Sequence, residues 1–139
     1  MSADEPFHSP DWLKVVPDIK ALNRVAAEEF ARCASAAISA NGRFTVALSG
    51  GNTPRAFYSL LAKEYGSSLP WERIFIFFGD ERHVPPTDPQ SNYRMASESL
   101  LSHVAIPPQN VYRMLAELDA KDAAEQYEAA LGELSPPAL

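Results

Sequence analysis

Apolar residues recur at steps of three and four along the first part of the chain, which is the spacing of one helical face. The series is Ile19, Leu22, Val25, Ala26, Phe30, Cys33, Ala37 and Ile38. Asp18 precedes this series and has a side chain suited to an N-cap. Asn41-Gly42 follows it with residues that tolerate the left-handed conformation at helix ends. The pattern predicts a helix from about Asp18 to Ala40.

Two short apolar runs then alternate with helical segments. Phe44 to Leu48 is predicted to be a strand, followed by a Ser-Gly-Gly turn and a helix from Pro54 to Tyr65. Thr53 is the predicted N-cap of that helix. Arg73 to Phe78 is largely apolar without alternation, which indicates a strand covered on both faces. The sheet is therefore predicted to be parallel.

The second half of the chain is predicted to be a loop followed by two helices. Gly79 to Gln90 is rich in charged residues and prolines, so it is predicted to be a loop at the carboxyl end of the second strand. A helix is expected from about Ser91 to His103, and another from about Asp119 to Leu131 that ends at Gly132. A short apolar segment, Val111 to Met114, separates them. This order predicts an α/β fold, a Rossmann-like layered parallel sheet with helices on both faces.

Composition limits the fold and function classes further. With 139 residues, 46% of them hydrophobic, the chain is long enough for one domain, predicted over residues 1–139, and short for two. A formal net charge of -6 argues against nucleic acid as a partner, although a few N–H groups and one Arg suffice for a local anion site. Cys33 is the only cysteine, and the N-terminus shows no signal peptide, so a cytoplasmic protein is expected. No apolar run approaches the roughly 20 residues that cross a bilayer, which argues against a membrane role.

The first candidate site is the turn Ser49-Gly50-Gly51-Asn52-Thr53, between the first predicted strand and its helix. Adjacent glycines let backbone N–H groups approach a ligand, and a helix N-terminus adds unpaired donors, so the turn is suited to bind a phosphate. It matches neither the Walker A nor the dinucleotide pattern, so neither ATP nor NAD is indicated. The same residues also fit a tight turn in which the glycines serve geometry alone.

A serine hydrolase is a further alternative for this turn. Ala47 to Gly51 resembles the nucleophile elbow, with Ala in place of the first Gly of that pattern. A triad would need a later acid and a later His, and Asp80 followed by His83 or His103 has this order. None of the histidines has metal-ligand spacing, so no metal site is predicted.

The second candidate site is the cluster Gly79 to His83, at the carboxyl end of the second predicted strand. Ligands of open α/β sheets bind beyond these ends, so this cluster and the Ser-Gly-Gly turn would face one crevice if their strands are neighbours. Asp80 or Glu81 could orient a water or a sugar hydroxyl, and Arg82 could hold a phosphate or stabilise an oxyanion. The alternative is an exposed loop whose charges pair with one another.

The helix that follows this loop begins with three more candidates, Ser91, Asn92 and Arg94. They either cap the helix or present an amide and a guanidinium to the crevice.

Taken together, three ordered motifs resemble the 6-phosphogluconolactonase family. They are Val46 to Pro54, Phe77 to Pro85 and Ser91 to Arg94, within a resemblance that runs from about Trp12 to Leu131. The same fold group includes glucosamine-6-phosphate isomerases, whose acidic motif lacks the Arg-containing pattern of Arg82.

The resemblance implies hydrolysis of 6-phosphoglucono-δ-lactone to 6-phosphogluconate in the oxidative pentose phosphate pathway, without metal or organic cofactor. It implies that Asp80 and Arg82 act in catalysis and lactone binding. The residues implied to bind the phosphosugar or shape its pocket are Ser49, Gly50, Gly51, Asn52, Thr53, Glu81, Ser91, Asn92 and Arg94.

The sequence departs from the family in one respect. The family's general base is a His in a Gly-x-Asp-Gly-His motif on a later strand end, and these 139 residues contain no such motif. General-base assistance contributes about 10²- to 10⁴-fold, so weak or no lactonase activity is expected from this chain alone. With the C-terminal portion of the family fold missing, an open strand edge is expected to favour self-association. A non-catalytic phosphosugar-binding or interaction fragment is the alternative function.

Overall fold

The computed structural model describes residues 10–134. Within this range lie four α-helices and two strands, in the order α1 (Ile19–Asn41), β1 (Phe44–Leu48), α2 (Asn52–Tyr65), β2 (Ile74–Phe78), α3 (Asn92–Ser99) and α4 (Ala120–Leu134). Short 3-10 helices lie at Trp71–Arg73, Leu101–His103 and Pro108–Asn110. No helix in this described range is long and apolar enough to cross a membrane.

The two strands form a parallel pair whose ends are level. Phe44 lies opposite Ile74 and Leu48 lies opposite Phe78, so both strands finish at the same edge of the sheet. On the other side of β2, Val111 forms an isolated parallel bridge with Ile76. The strands and their parallel direction are confirmed, and Arg73 differs only in belonging to the 3-10 turn before β2.

The hydrophobic core lies between one face of the sheet and the first three helices. Alternation along β2 turns Ile74, Ile76 and Phe78 to this face, and each is at most 3% exposed. The helices contribute the other buried members, Ala27, Phe30, Ala34, Tyr58, Leu61, Met95 and Ala96. Trp71, in the 3-10 turn, stacks on Phe30 with ring centroids 6.2 Å apart. Burial of these side chains supplies most of the driving force for folding.

The opposite face of the sheet is covered at β2 by aromatic side chains. Phe77 stacks on Tyr112, with ring centroids 4.7 Å apart, and meets Tyr127 of α4 edge-on at 6.0 Å. Thr45 and Ala47 of β1 are exposed on this face. The predicted α/β class with a parallel sheet and helices on both faces is confirmed, with α4 packed against the second face at β2 alone.

Helix α1 begins and ends where the sequence predicted, but it buries a different set of side chains. The Asp18 carboxylate accepts a hydrogen bond of 2.7 Å from the N–H of Ala21, and Gly42 closes the helix at φ 80°. Ile19 and Leu22 are 56% and 41% exposed, so their predicted place on the buried face is wrong. The part of α1 that packs on the core starts only at Ala27.

Three predicted helix boundaries are also wrong. The N-cap of α2 is Gly51 rather than Thr53, because the positive φ of Gly51 lets the helix begin at Asn52. Helix α3 ends at Ser99, ahead of a 3-10 turn. Helix α4 continues through Gly132 to Leu134, whose carbonyl accepts a hydrogen bond of 3.0 Å from the Arg43 guanidinium.

Two leucine-to-alanine substitutions test this description of the core. Leu61 is fully buried, so Leu61→Ala is expected to lower the free energy of unfolding by about 2–5 kcal/mol through lost burial and a residual cavity. Leu22→Ala makes the same chemical change at a 41% exposed position and is expected to cost under about 1 kcal/mol. Urea titration of both variants measures the difference. Equal losses would contradict this core.

Candidate functional site

The two candidate motifs begin side by side at the carboxyl edge of the sheet. Ser49 directly follows β1 and Gly79 directly follows β2, and the last residues of the two strands are paired. The N–H of Gly79 donates to the carbonyl of Leu48 at 2.9 Å, which extends the pairing one residue beyond β2. The structure therefore brings the Ser-Gly-Gly turn and the Asp80 to Arg82 cluster together, as the sequence predicted.

Asn92 fills the space between these two motifs. A side-chain carbon on Gly50 would overlap the Asn92 amide, so only glycine fits this close approach. The Asn92 Nδ2 group donates to the Asp80 carboxylate at 3.1 Å and to the Asp80 carbonyl at 3.3 Å. Asn92 is 5% exposed. The turn and the acidic loop are thus joined by one buried amide.

The start of α2 presents backbone N–H groups without a side-chain cap. Gly51 takes φ 105° and ψ 174°, a conformation essentially restricted to glycine, and no side chain caps the helix. Asn52 and Thr53 are exposed, and their N–H groups belong to the first turn, where no intrahelical acceptor exists. These donors and the positive end of the helix dipole suit an anion.

The Glu81 carboxylate is engaged in contacts within the chain. Its Oε1 accepts hydrogen bonds from the N–H groups of Arg82, at 2.8 Å, and Asn92, at 2.7 Å. Its Oε2 accepts hydrogen bonds from Ser91 Oγ at 2.9 Å and from the N–H of Tyr93 at 3.0 Å. Glu81 and Ser91 thus lie at the base of the site, at the start of α3.

The cationic candidates differ in what they contact. Arg82 is exposed, its guanidinium lies 3.5 Å from the Gln90 carbonyl, and no carboxylate among residues 10–134 is within 4.0 Å of it. Arg94 instead donates to Glu98 and to the Thr87 carbonyl, both at 2.7 Å. Glu98 lies one helical turn further along α3 and holds the Arg94 side chain along the helix surface. The structure therefore does not bring the Arg94 guanidinium to the other candidates, although the Arg94 N–H donates to Ser91 Oγ.

Two tyrosines, Tyr58 buried and Tyr127 half-buried, anchor the strand ends that carry the site. The Tyr58 hydroxyl accepts a hydrogen bond from the Ser49 N–H and donates to the Ser49 carbonyl, both at 2.8 Å. The Tyr127 hydroxyl makes the same two contacts with Phe78, both at 2.7 Å. Both tyrosines fall at core-like positions of the sequence, which predicts no role at the site. The available signal was the hydroxyl itself, since a buried O–H usually finds a polar partner.

The serine-hydrolase alternative lacks its triad in the described part of the chain. His83 Nε2 lies 2.9 Å from the Leu118 carbonyl, and His103 Nε2 lies 2.8 Å from the Glu98 carbonyl, so neither ring serves Ser49. No non-glycine residue between 10 and 134 has a positive φ, whereas the elbow serine sits on a strained turn. Within the same range no group of His, Cys, Asp and Glu side chains is arranged to hold a metal ion.

Comparison with known proteins gives a consistent result. Residues 17–138 match the family described as glucosamine-6-phosphate isomerases/6-phosphogluconolactonase. The chain is 46% identical over 93 residues to a 6-phosphogluconolactonase of Synechocystis, which covers 66% of this chain and 38% of the relative. It superposes on a 6-phosphogluconolactonase of Thermotoga maritima with a TM-score of 0.76 and 32% identity. For the Trypanosoma brucei enzyme the TM-score is 0.78 and the identity is 30%.

The matched regions cover only part of these relatives. The superpositions include 81% and 88% of this chain but 50% of each solved structure. The chain thus spans about half the length of the solved relatives and 38% of the Synechocystis relative.

Gly51→Ala tests the backbone conformation of the turn. An alanine at φ 105° and ψ 174° is strained, so the free energy of unfolding is expected to fall by about 1–3 kcal/mol. Gly132→Ala is the matched control, because Gly132 lies within α4 with open space around it and should gain about 0.5–1 kcal/mol. Urea titration measures both. An unchanged Gly51→Ala midpoint would rule out the strained turn.

Alkaline titration tests the strand-end tyrosines. Burial raises the pKa of Tyr58 and of Tyr127 above the ordinary value of 10.0. The folded chain therefore holds these protons more tightly than the unfolded chain, so their contribution to stability is complete below pH 10 and declines as the pH rises above it. Urea midpoints between pH 8 and pH 11 should fall less in Tyr58→Phe than in the parent chain. A parental pH dependence in Tyr58→Phe would contradict this account of the strand end.

Proposed function

The chain belongs to the glucosamine-6-phosphate isomerase/6-phosphogluconolactonase family, and on that premise we propose that it binds the phosphosugar in the hydrolysis of 6-phosphoglucono-δ-lactone to 6-phosphogluconate. The observation that carries the proposal is the meeting of two elements at one sheet edge. The uncapped N-terminus of α2 and the loop that carries Arg82 follow two paired strand ends, and the Arg82 guanidinium has no carboxylate partner in the described chain. Backbone N–H groups at a helix start bind a phosphate, and a guanidinium stabilises a negatively charged oxygen.

The turn is assigned to the phosphate. The N–H groups of Asn52 and Thr53 donate to phosphate oxygens, and Gly51 lets the phosphate approach the backbone closely. Ser49 is exposed beside them, so its hydroxyl adds a neutral donor. This arrangement binds an anion with little positive side-chain charge, which suits a chain of net charge -6.

The acidic loop is assigned to the lactone ring. The Asp80 carboxylate has one oxygen held by Asn92, which leaves its second oxygen to accept a hydrogen bond from a sugar hydroxyl or a water. Arg82 stabilises the negative charge that develops on the carbonyl oxygen when water attacks the lactone. Binding and charge stabilisation are thus supplied by residues of this chain.

Removal of a proton from the attacking water is the step for which these residues offer no base. Family resemblance places that base in a Gly-x-Asp-Gly-His motif, which is not among these 139 residues. His83 is turned to the Leu118 carbonyl. A phosphosugar-binding role without turnover is therefore the second candidate function for this chain, and it shares the same site.

Calorimetric titration with 6-phosphogluconate tests the shared site. Binding is expected for the parent chain, and gluconate, which lacks the phosphate, should not compete. Arg82→Gln removes a charged donor and should weaken binding about tenfold. Arg24→Gln, an exposed cation on α1, makes the same charge change and should leave the affinity unaltered. Failure of the parent chain to bind 6-phosphogluconate would refute both candidate functions.

A lactone hydrolysis assay on the same samples separates the two candidates. With spontaneous ring opening subtracted, the chain alone is expected to give little or no enzymatic rate, because general-base assistance contributes about 10²- to 10⁴-fold. A substantial rate that Asp80→Asn or His83→Ala abolishes would show that this chain contains its own base.

A further inference from the structure

We propose that Glu81 is a positioning residue, which closes the N-terminus of α3 and, through Asn92, holds the Ser-Gly-Gly turn and Asp80 in place without touching the ligand. The proposal rests on the proposed function. It replaces the role that sequence reasoning and family resemblance implied for Glu81, that of a group facing the substrate.

The Glu81 carboxylate is saturated with hydrogen bonds from within the chain. An ionised carboxylate offers about four lone-pair directions. Two hydrogen bonds reach each oxygen, from the N–H groups of Arg82 and Asn92 at Oε1 and from Ser91 Oγ and the N–H of Tyr93 at Oε2. Every acceptor position is therefore used within the chain, and a sugar hydroxyl would have to displace one of these donors.

The helices α2 and α3 start at the same sheet edge but differ in whether side chains cap their N-termini. At α3, Ser91 Oγ accepts the N–H of Arg94 at 3.2 Å while Glu81 accepts those of Asn92 and Tyr93. The donors of that turn are thus occupied and the dipole faces a carboxylate. At α2 no side chain caps the helix. Glu81 therefore closes one of the two possible anion positions and leaves the α2 turn to receive the phosphate.

Asn92 links Glu81 to both candidate motifs. Its backbone N–H is held by Glu81, and its side chain packs against Gly50 and donates to Asp80. Asn92 and Ser91 are 5% and 2% exposed, so neither can move without displacing its neighbours. A shift of the first turn of α3 is thereby transmitted to both candidate motifs.

Glutamine is the informative replacement for Glu81. It keeps the shape of the side chain but turns one acceptor oxygen into an NH₂ donor. That NH₂ would face the two N–H groups of Arg82 and Asn92, or the N–H of Tyr93 and the Ser91 hydroxyl. The Ser91 hydroxyl can rotate to accept from the NH₂, but either orientation opposes that NH₂ to at least one backbone N–H, so the first turn of α3 must move.

Amide spectra of the ligand-free chain test the link directly. In ¹H–¹⁵N correlation spectra, Glu81→Gln is expected to move the Gly50, Gly51 and Asp80 resonances while those of α1 stay in place. Glu98→Gln is the matched control, because Glu98 is an exposed carboxylate of α3 that accepts a hydrogen bond from Arg94. Its replacement should leave the Gly50 and Gly51 resonances unmoved. Unmoved Gly50 and Gly51 resonances in folded Glu81→Gln would overturn the proposal.

Titration with 6-phosphogluconate then measures the consequence for the site. Glu81→Gln should weaken binding at least about tenfold through misplacement of the turn, and Glu98→Gln should bind like the parent chain. Parental affinity of Glu81→Gln would overturn the positioning role. If the parent chain itself does not bind, the proposed function fails, while the ligand-free spectra still decide whether Glu81 positions the turn.

Ser91→Ala provides the test if Glu81→Gln does not fold. It removes one of the four donors and the N-cap of α3, and leaves the Glu81 carboxylate in place. The same resonances should move in the same direction by a smaller amount. Parental Gly50 and Gly51 resonances together with parental affinity in Ser91→Ala would overturn the proposal.

Discussion

The level pairing of the two parallel strands is the constraint on which the rest of the site depends. Because Leu48 lies opposite Phe78 and Gly79 donates to the Leu48 carbonyl, both strands end at the same edge of the sheet. The hydroxyls of Tyr58 and Tyr127 satisfy the backbone groups of Ser49 and Phe78, where the ladder ends. Backbone polar groups in such places are costly when unpaired. The strand ends are therefore held firmly before any ligand binds, which is what a preorganised binding turn requires.

Hydrogen bonding within the chain, more than the amino-acid composition, decides which charged groups at this edge are available to a ligand. A chain of net charge -6 can offer an anion site here because carboxylates near the site accept hydrogen bonds from within the chain. Glu81 is bound to the start of α3, one oxygen of Asp80 is bound to Asn92, and Glu98 is bound to Arg94. The uncapped turn of α2, the Arg82 guanidinium and the second oxygen of the exposed Asp80 carboxylate remain available toward solvent. Under the function proposed above, this arrangement would receive the phosphate of a sugar phosphate.

Much of the fold was predictable, since local signals decide it. The periodic apolar series and the Asp18 cap gave α1, and the two apolar runs gave β1 and β2. The predictions failed where a neighbouring element decides the outcome. Ile19 and Leu22 follow the helical period of α1, yet the sheet reaches only the later turns of that helix. Helix α4 passes Gly132, where Arg43 from the start of the sheet contacts its last carbonyl. Glycine is a common signal for a helix end, and at Gly132 this signal predicted the wrong end.

The candidate site, like the fold, was predictable only where local sequence decides the outcome. The sequence by itself determined the composition of the site: two adjacent glycines before a helix, an acidic and basic cluster after a buried strand, and an Asn at the start of the next helix. Only the tertiary structure decided which atoms remain available to a ligand. It turned Arg94 to Glu98, saturated Glu81 with donors from α3, and placed Asn92 against Gly50. The physical reason is that hydrogen-bond satisfaction is decided among groups far apart in sequence, and residue type alone does not say which acceptor a donor will meet.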